Sequence, residues 1–120
     1  MLIEKQLRRF RTLLERERAE IEESIAVWRR DIGDPAYGET AGVDDIGDES
    51  TRIFEKETEI DNIRRAEARL RQIRHALERM DDGSYGVSEV SGRPIPIERL
   101  EAIPWATTLV DEPAPEDANS

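Results

Sequence analysis

Seven carboxylate side chains lie within residues 31–50, a stretch that contains no lysine and no arginine. They are Asp31, Asp34, Glu39, Asp44, Asp45, Asp48 and Glu49. Carboxylate oxygens bind basic side chains and hard cations such as Mg²⁺. The segment could therefore contact a cationic partner, or its charges could simply keep a loop hydrated.

The rest of the chain is almost neutral. The 120 residues include 18 lysines and arginines and 28 aspartates and glutamates, which gives a net charge of −10. Residues 31–50 contribute −7, and residues 111–120, with four acids and no base, contribute −4, which leaves +1 for the remainder. A chain with this balance has no basic stripe for nucleic-acid phosphates, so direct sequence-specific DNA binding is not expected.

Several other kinds of site lack their residues. The chain has no cysteine, which excludes disulfides and cysteine-ligated metal sites, and it has a single histidine, His75. There is no glycine-rich phosphate loop and no nucleophile–base pair, so we do not expect an enzyme. No apolar run approaches the roughly 20 residues that cross a bilayer, and the first residues do not follow a signal-peptide pattern. The sequence therefore predicts a cytoplasmic protein without a membrane partner.

Two segments without glycine or proline predict long helices, at about residues 2–31 and 50–80. In each, apolar side chains recur at alternating spacings of three and four residues. The apolar positions are Leu7, Phe10, Leu14, Ile21 and Trp28 in the first segment, and Ile53, Ile60, Ile63, Leu70 and Leu77 in the second. Because such a narrow stripe cannot stabilise a lone helix, the pattern favours an antiparallel hairpin, the coiled coil of a mainly α fold. Pairing with another chain is an alternative that periodicity leaves open.

The connection between the two helices is then the acidic loop, residues 32–49. It contains four glycines and a proline, which indicates a loop rather than a third long helix. Such a loop is longer than a helix–helix connection requires, and long loops are often functional. The sequence thus places the densest negative charge at the tip of the hairpin.

Turn-forming residues become frequent after Met80. Residues 81–110 predict a small module with a short extended stretch, a turn and one or two helical turns before Pro104. Because thirty residues bury little core of their own, this module is expected to pack on a neighbouring element. The apolar contributors are Tyr85, Ile95, Ile97, Leu100, Ile103, Trp105 and Leu109. Residues 111–120 predict an acidic, disordered tail.

A resemblance to a known family begins at residues 76–86, which read ALERMDDGSYG. This segment resembles the approach to the zinc finger in the DksA/TraR regulators of bacterial RNA polymerase, and the later motifs GRPI at 92–95 and ERLEA at 98–102 fit the same pattern. The likeness covers residues 50–112 in motif detail and residues 1–49 by architecture. It implies a monomeric, non-catalytic transcription regulator that binds RNA polymerase through its secondary channel.

The zinc finger itself departs from the family pattern. Members carry a Cys-x-x-Cys pair after the Tyr-Gly and a second ligand pair about eighteen residues later, and these positions here hold Ser88, Ser91, Leu109 and Glu112. A neutral hydroxyl is a poor zinc ligand and a leucine side chain is none. The resemblance therefore implies a degenerate finger that folds without zinc, and no cofactor is expected.

The tip of the family's coiled coil carries the motif D-x-x-D-x-A. Its positions fall on Asp45, Asp48 and Ser50, with Asp44 and Glu49 beside them. By resemblance, these residues contact the polymerase near its catalytic centre, where basic side chains and Mg²⁺ offer partners for carboxylates. Two alternatives stay open: the acids only hydrate the end of the hairpin, or the protein is a coiled-coil scaffold or oligomerisation protein that has lost polymerase binding.

Overall fold

The chain folds mainly into helices, as the sequence predicts. The computed structural model describes residues 2–33 and 49–113, with the side chains of residues 2–33 and 56–113. Helix α1 spans Glu4–Asp31, helix α2 spans Glu49–Asp82, and a short helix α3 spans Ile97–Ala102. None of the helical residues in this description forms a stretch that is long and apolar enough to cross a bilayer.

The bounds of the long helices differ slightly from the expected ones. Helix α1 begins two residues later than predicted, and α2 continues two residues beyond Met80. The structure divides into two compact units, one of Met1–Ala19 with Ala68–Ser120 and the other of Glu20–Glu67. The predicted division into a hairpin of residues 1–80, a module of residues 81–110 and a tail stays a prediction.

The core of the first unit is built on four side chains that are almost completely enclosed. Phe10 and Leu14 lie one helical turn apart on α1, Ile73 lies on α2, and Leu100 lies on α3. Leu70, Ala76 and Leu77 continue the buried face of α2 at spacings of three or four residues, so the apolar stripe read from the sequence is the packed face. An exposed ion pair between Arg11 and Asp81 (2.9 Å) borders this core and contributes little stability.

Among the described side chains of the second unit, Ile25 of α1 and Ile63 of α2 are buried. Ile25 is 6% exposed. Trp28, which belongs to the apolar positions predicted from the three- and four-residue spacing, is only partly buried. Helix geometry explains the difference: at 3.6 residues per turn, eleven residues from Leu14 return to within about 20° of the same face, while fourteen residues leave an offset of about 40°. The ion pair between Arg29 and Glu67 joins the same two helices in this unit.

Helix α2 ends at Asp82, where turn-forming residues become frequent in the sequence. Gly83 adopts a φ of 84°, the left-handed conformation that glycine adopts without steric cost. The amide of Ser84 donates to the carbonyl of Arg79 (2.8 Å) and the amide of Gly83 to that of Met80 (3.4 Å), which is a Schellman motif. The Arg79 guanidinium, in turn, donates to the carbonyls of Ser84 (2.8 Å) and Val87 (2.7 Å). The direction in which the chain leaves α2 is thereby fixed.

Two arms follow helix α2. The first arm, residues 86–95, folds back on itself through an isolated antiparallel bridge between Val87 and Pro94. The second arm, residues 105–112, joins the first through a hydrogen bond from the amide of Glu89 to the carbonyl of Thr107 (2.8 Å). The described residues of the two arms form no extended strand. Hydrogen bonds between individual residues, rather than a sheet, therefore hold the arms together.

The arms pack on the long helices, as a segment of this size requires. Tyr85 is 8% exposed, its ring centroid lies 6.1 Å from that of Phe10, and its hydroxyl donates to the carbonyl of Pro104 (2.8 Å). Burial raises the pKa of the Tyr85 hydroxyl. Gly86, with a φ of 96°, lies so close to Leu2 that an added Cβ would meet the Leu2 side chain at 2.9 Å. Both contacts hold residues 85 and 86, where the first arm begins, against the N-terminal part of the chain.

Candidate functional site

The residues expected to contact the polymerase lie mostly outside the described residues. Asp44, Asp45 and Asp48 belong to residues 34–48, which the structure does not describe. Glu49 and Ser50 are the first two residues of α2, and only their backbone is described. The last position of the tip motif, Ser50, therefore lies on a helix.

The four positions where the family carries zinc ligands are described in full, and Ser88 is at their centre. Ser88 is 3% exposed. Its Oγ accepts hydrogen bonds from the amides of Val90 (3.0 Å) and Ser91 (3.2 Å), and its hydroxyl hydrogen is donated to Oε1 of Glu112. One donor and two acceptor sites exhaust the hydrogen-bonding capacity of a serine hydroxyl. Ser88 thus links the turn of the first arm to the end of the second.

Glu112 receives several donors in turn. The amide of Leu109 donates to Oε1 (2.7 Å), and the Arg93 guanidinium lies 3.4 Å from Oε2. The side chain of Glu112 is only 6% exposed. Hydrogen bonds from the Leu109 amide and the Ser88 and Ser91 hydroxyls stabilise the carboxylate and lower its pKa to about 2. Leu109 therefore takes part through its backbone, not through its side chain.

The chemistry of these positions does not fit a zinc ion. Zinc in a structural site takes four thiolate, imidazole or carboxylate ligands, and Ser88, Ser91, Leu109 and Glu112 supply one carboxylate among them. In the described ranges 2–33 and 56–113, no three His, Cys, Asp or Glu side chains group closely enough to hold a metal ion. The one carboxylate, that of Glu112, already accepts hydrogen bonds from groups of the protein.

A second polar cluster surrounds Glu89, which the sequence analysis did not single out. Its Oε1 lies 3.0 Å from Nε2 of His75 on α2, and the hydroxyl of Thr107 on the second arm donates to its Oε2. Burial raises the pKa of Glu89, but the hydrogen bonds from Thr107 and His75 outweigh it, and the pKa is lowered overall. The His75 side chain is 34% exposed, so it lies at the edge of the packed face of α2. No spacing in the sequence indicates this cluster, because its three members come from segments that are distant along the chain.

Trp105 lies at the start of the second arm, under a cation. The guanidinium carbon of Arg69 lies 4.2 Å from the centroid of the indole ring, within the range of a cation–π interaction. Further along this arm, Nε of Arg99 donates to the carbonyl of Thr108 (2.8 Å). Arginines on α2 and α3 therefore hold the second arm at two points.

Comparison with known proteins finds similarity in both structure and sequence. The fold is similar to that of the transcription factor DksA2 from Pseudomonas aeruginosa, with a TM-score of 0.73 and 31% identity over 90% of this chain and 80% of that chain. The RNA polymerase-binding transcription factor DksA from Caulobacter vibrioides is 37% identical over 73 residues, and the uncharacterised protein YteA from Bacillus subtilis is 43% identical over 77 residues. No family model matches the chain.

The sequence relatives are longer than the matched region. The alignment with YteA spans 63% of this chain but 32% of YteA, and the alignment with the Caulobacter protein spans 61% of this chain and 51% of that protein. The chain therefore matches between about a third and a half of these relatives, whereas it matches most of the solved structure.

Proposed function

Because this chain belongs to the DksA/TraR family, we propose that it regulates transcription by binding bacterial RNA polymerase. The observation that carries the proposal is the similarity to DksA2, which extends over 90% of the chain at 31% identity. The Caulobacter relative, named as RNA polymerase-binding, supports the same partner. The match covers 90% of the chain and therefore includes most of helices α1 and α2.

The proposed contact is made by the acidic tip through the secondary channel of the polymerase. Residues 31–50 carry −7 without a single base, while the chain outside this stretch and residues 111–120 carries +1. An electrostatic contact with basic side chains or Mg²⁺ would therefore be concentrated at the tip. Asp45 and Asp48 occupy the two acidic motif positions, and Ser50 replaces the alanine of the family motif with another small residue.

The protein acts in this proposal as a monomeric, non-catalytic factor. It would contact the polymerase rather than promoter DNA, because its near-neutral body offers no basic stripe for phosphates. The carboxylates would act on groups of the polymerase, and no reaction is assigned to the chain itself.

Direct binding to core RNA polymerase from the encoding organism tests the proposal. The fluorescently labelled wild-type chain is titrated with polymerase, next to Asp45→Asn/Asp48→Asn and to Asp34→Asn/Glu39→Gln. Both double variants remove two negative charges from residues 31–50, so total charge is matched and only the motif positions differ. We expect the motif variant to bind on the order of tenfold more weakly and the control to bind almost as well as the wild type.

The two possible failures have different meanings. If the wild type does not bind polymerase, the proposed function is wrong, and a coiled-coil scaffold becomes the better account. If the wild type binds but both double variants bind equally well, the chain is a polymerase-binding protein whose tip motif is not the contact.

A further inference from the structure

The two arms are joined by a hydrogen bond between Ser88 and Glu112 that the proposed function does not explain. Ser88 donates to Oε1 of Glu112, and the same oxygen accepts the amide of Leu109 at 2.7 Å. Ser88 is 3% exposed and the Glu112 side chain is 6% exposed, so water is largely kept from both groups. A charge-assisted hydrogen bond in such a place is shorter and stronger than an ordinary surface contact.

Each side of this cross-link is fixed by its own arm. On the first arm, two amides point at Ser88 Oγ, and the amide of Gly92 also donates to the Ser88 carbonyl (2.9 Å). On the second arm, the amide of Glu112 donates to the carbonyl of Leu109 (3.0 Å), which closes a tight turn. The amides aimed at Ser88 Oγ polarise the hydroxyl, and this strengthens its donation to the carboxylate. The two turns therefore present a donor and an acceptor to each other at a fixed geometry.

By the family resemblance, other members carry their zinc ligands at the positions of Ser88, Ser91, Leu109 and Glu112. In a zinc finger the metal joins two turns that cannot hold each other through a hydrophobic core. Here the joining group is a carboxylate, which offers two oxygens to donors from both turns and from Arg93. The spacing of the two pairs is kept while their chemistry has changed from metal ligation to hydrogen bonding.

We propose that the hydrogen bond between Ser88 and Glu112 replaces zinc as the structural cross-link of the two arms, so that they fold independently of metal and of thiol oxidation. The inference concerns the stability of the arms and does not rest on polymerase binding. Glu112 has a structural role in this proposal, and that role does not depend on catalysis or on partner binding. It also explains why a leucine is acceptable at 109, since that position contributes its amide.

Thermal unfolding of the full chain in a Trp28→Phe background tests the proposal. The chain has two tryptophans, so in this background Trp105, at the start of the second arm, is the only one that reports. Unfolding is followed with and without a strong zinc chelator, for the parent, Ser88→Ala, Glu112→Ala and the double variant. Asp111→Ala is the matched control, because it removes the neighbouring carboxylate, whose side chain is 72% exposed.

We expect the chelator to leave the Tm of the parent unchanged. Ser88→Ala lowers the Tm of the Trp105 transition by about 5 °C, Glu112→Ala lowers it as well, and Asp111→Ala leaves it nearly unchanged. The double variant is less destabilised than the sum of the two single changes, because each removes the same interaction.

Two results would overturn the proposal. One is a chelator-induced fall in the parent Tm together with bound zinc in elemental analysis, which would mean that a metal still joins the arms. The other is strict additivity of the Ser88 and Glu112 changes, which would mean that the two groups do not act as one cross-link. The chelator experiment needs only the parent protein, so it decides the metal question even if a variant fails to fold.

Discussion

The Nε2 atom of His75 lies 3.0 Å from Oε1 of Glu89, which joins helix α2 to the first arm. The other carboxylate oxygen of Glu89 accepts the hydroxyl of Thr107, so one side chain connects α2, the first arm and the second arm. Glu112 thus links the two arms to each other, and Glu89 links both arms to helix α2.

Glu89→Gln should lower the free energy of unfolding by about 1 kcal/mol, since a charge-assisted acceptor of two side-chain donors becomes a neutral amide. Urea unfolding of the full chain measures this change. Glu78→Gln is the matched control: its carboxylate lies 3.9 Å from Nδ1 of the same histidine, but the side chain is 78% exposed. Equal effects of the two substitutions would show that proximity to His75, and not the bridge to Thr107, determines the stability.

Acid should destabilise the fold through Glu112. Its pKa is lowered from 4.5 to about 2 in the folded state, so its contribution to stability is complete above pH 4.5 and is lost as the pH falls toward 2. The pKa of Glu89 is lowered too, and it adds to the loss in the same direction. Urea midpoints at pH 7 and pH 3 for the wild type and Glu112→Gln test this, with the wild type expected to fall further between the two values. Parallel losses in both proteins would contradict the assignment to Glu112.

Removing the Tyr85 hydroxyl should cost about 1–2 kcal/mol of unfolding free energy. In Tyr85→Phe the ring still packs near Phe10, but the carbonyl of Pro104 loses its donor at a site where Tyr85 is 8% exposed. Urea unfolding in the Trp28→Phe background, monitored by Trp105 fluorescence, measures the change. A stability equal to that of the wild type would indicate that water replaces the hydroxyl at the Pro104 carbonyl.

Helical periodicity was sufficient to predict the long helices and most of the first unit's core. Phe10, Leu14, Leu70 and Leu77 are buried as the three- and four-residue spacing predicts, because packing two helices selects one face of each. Ile25 lies outside the apolar positions predicted for the first helix, yet it is 6% exposed, since a straight helix drifts away from a seven-residue pattern.

The two arms were less accessible to sequence reasoning. Tyr85, Ile95 and Leu100 are buried as expected, whereas Thr107 and Thr108 are buried polar residues that hydropathy does not indicate. Their burial depends on partners elsewhere in the chain, namely Glu89 for the Thr107 hydroxyl and Arg99 for the Thr108 carbonyl. The family resemblance identified the position of Glu112, but the donors that converge on it come together only in the folded chain.

Restoring thiols should convert the arms into a metal site. The variant Ser88→Cys/Ser91→Cys/Leu109→Cys/Glu112→Cys recreates two Cys-x-x-Cys pairs, and the amides of Val90 and Ser91 already point at the atom that would become a thiolate. We expect it to bind one zinc ion per chain, with a cobalt spectrum typical of tetrahedral thiolate ligation and a Tm that falls on chelation. A variant that folds but binds no zinc would show that the arms no longer place these positions around a common point.

The central claim, that the acidic tip enters the secondary channel of RNA polymerase, is tested most directly by mapping the tip on the polymerase. Because the chain has no cysteine, Ile46→Cys provides a unique thiol inside the motif for an iron chelate that cleaves nearby protein. The same chelate on Ala118→Cys, in the tail, is the control. We predict cleavage of the polymerase beside its catalytic centre from residue 46 and none there from residue 118. Cleavage that is absent, or that is the same from both positions, would contradict the account.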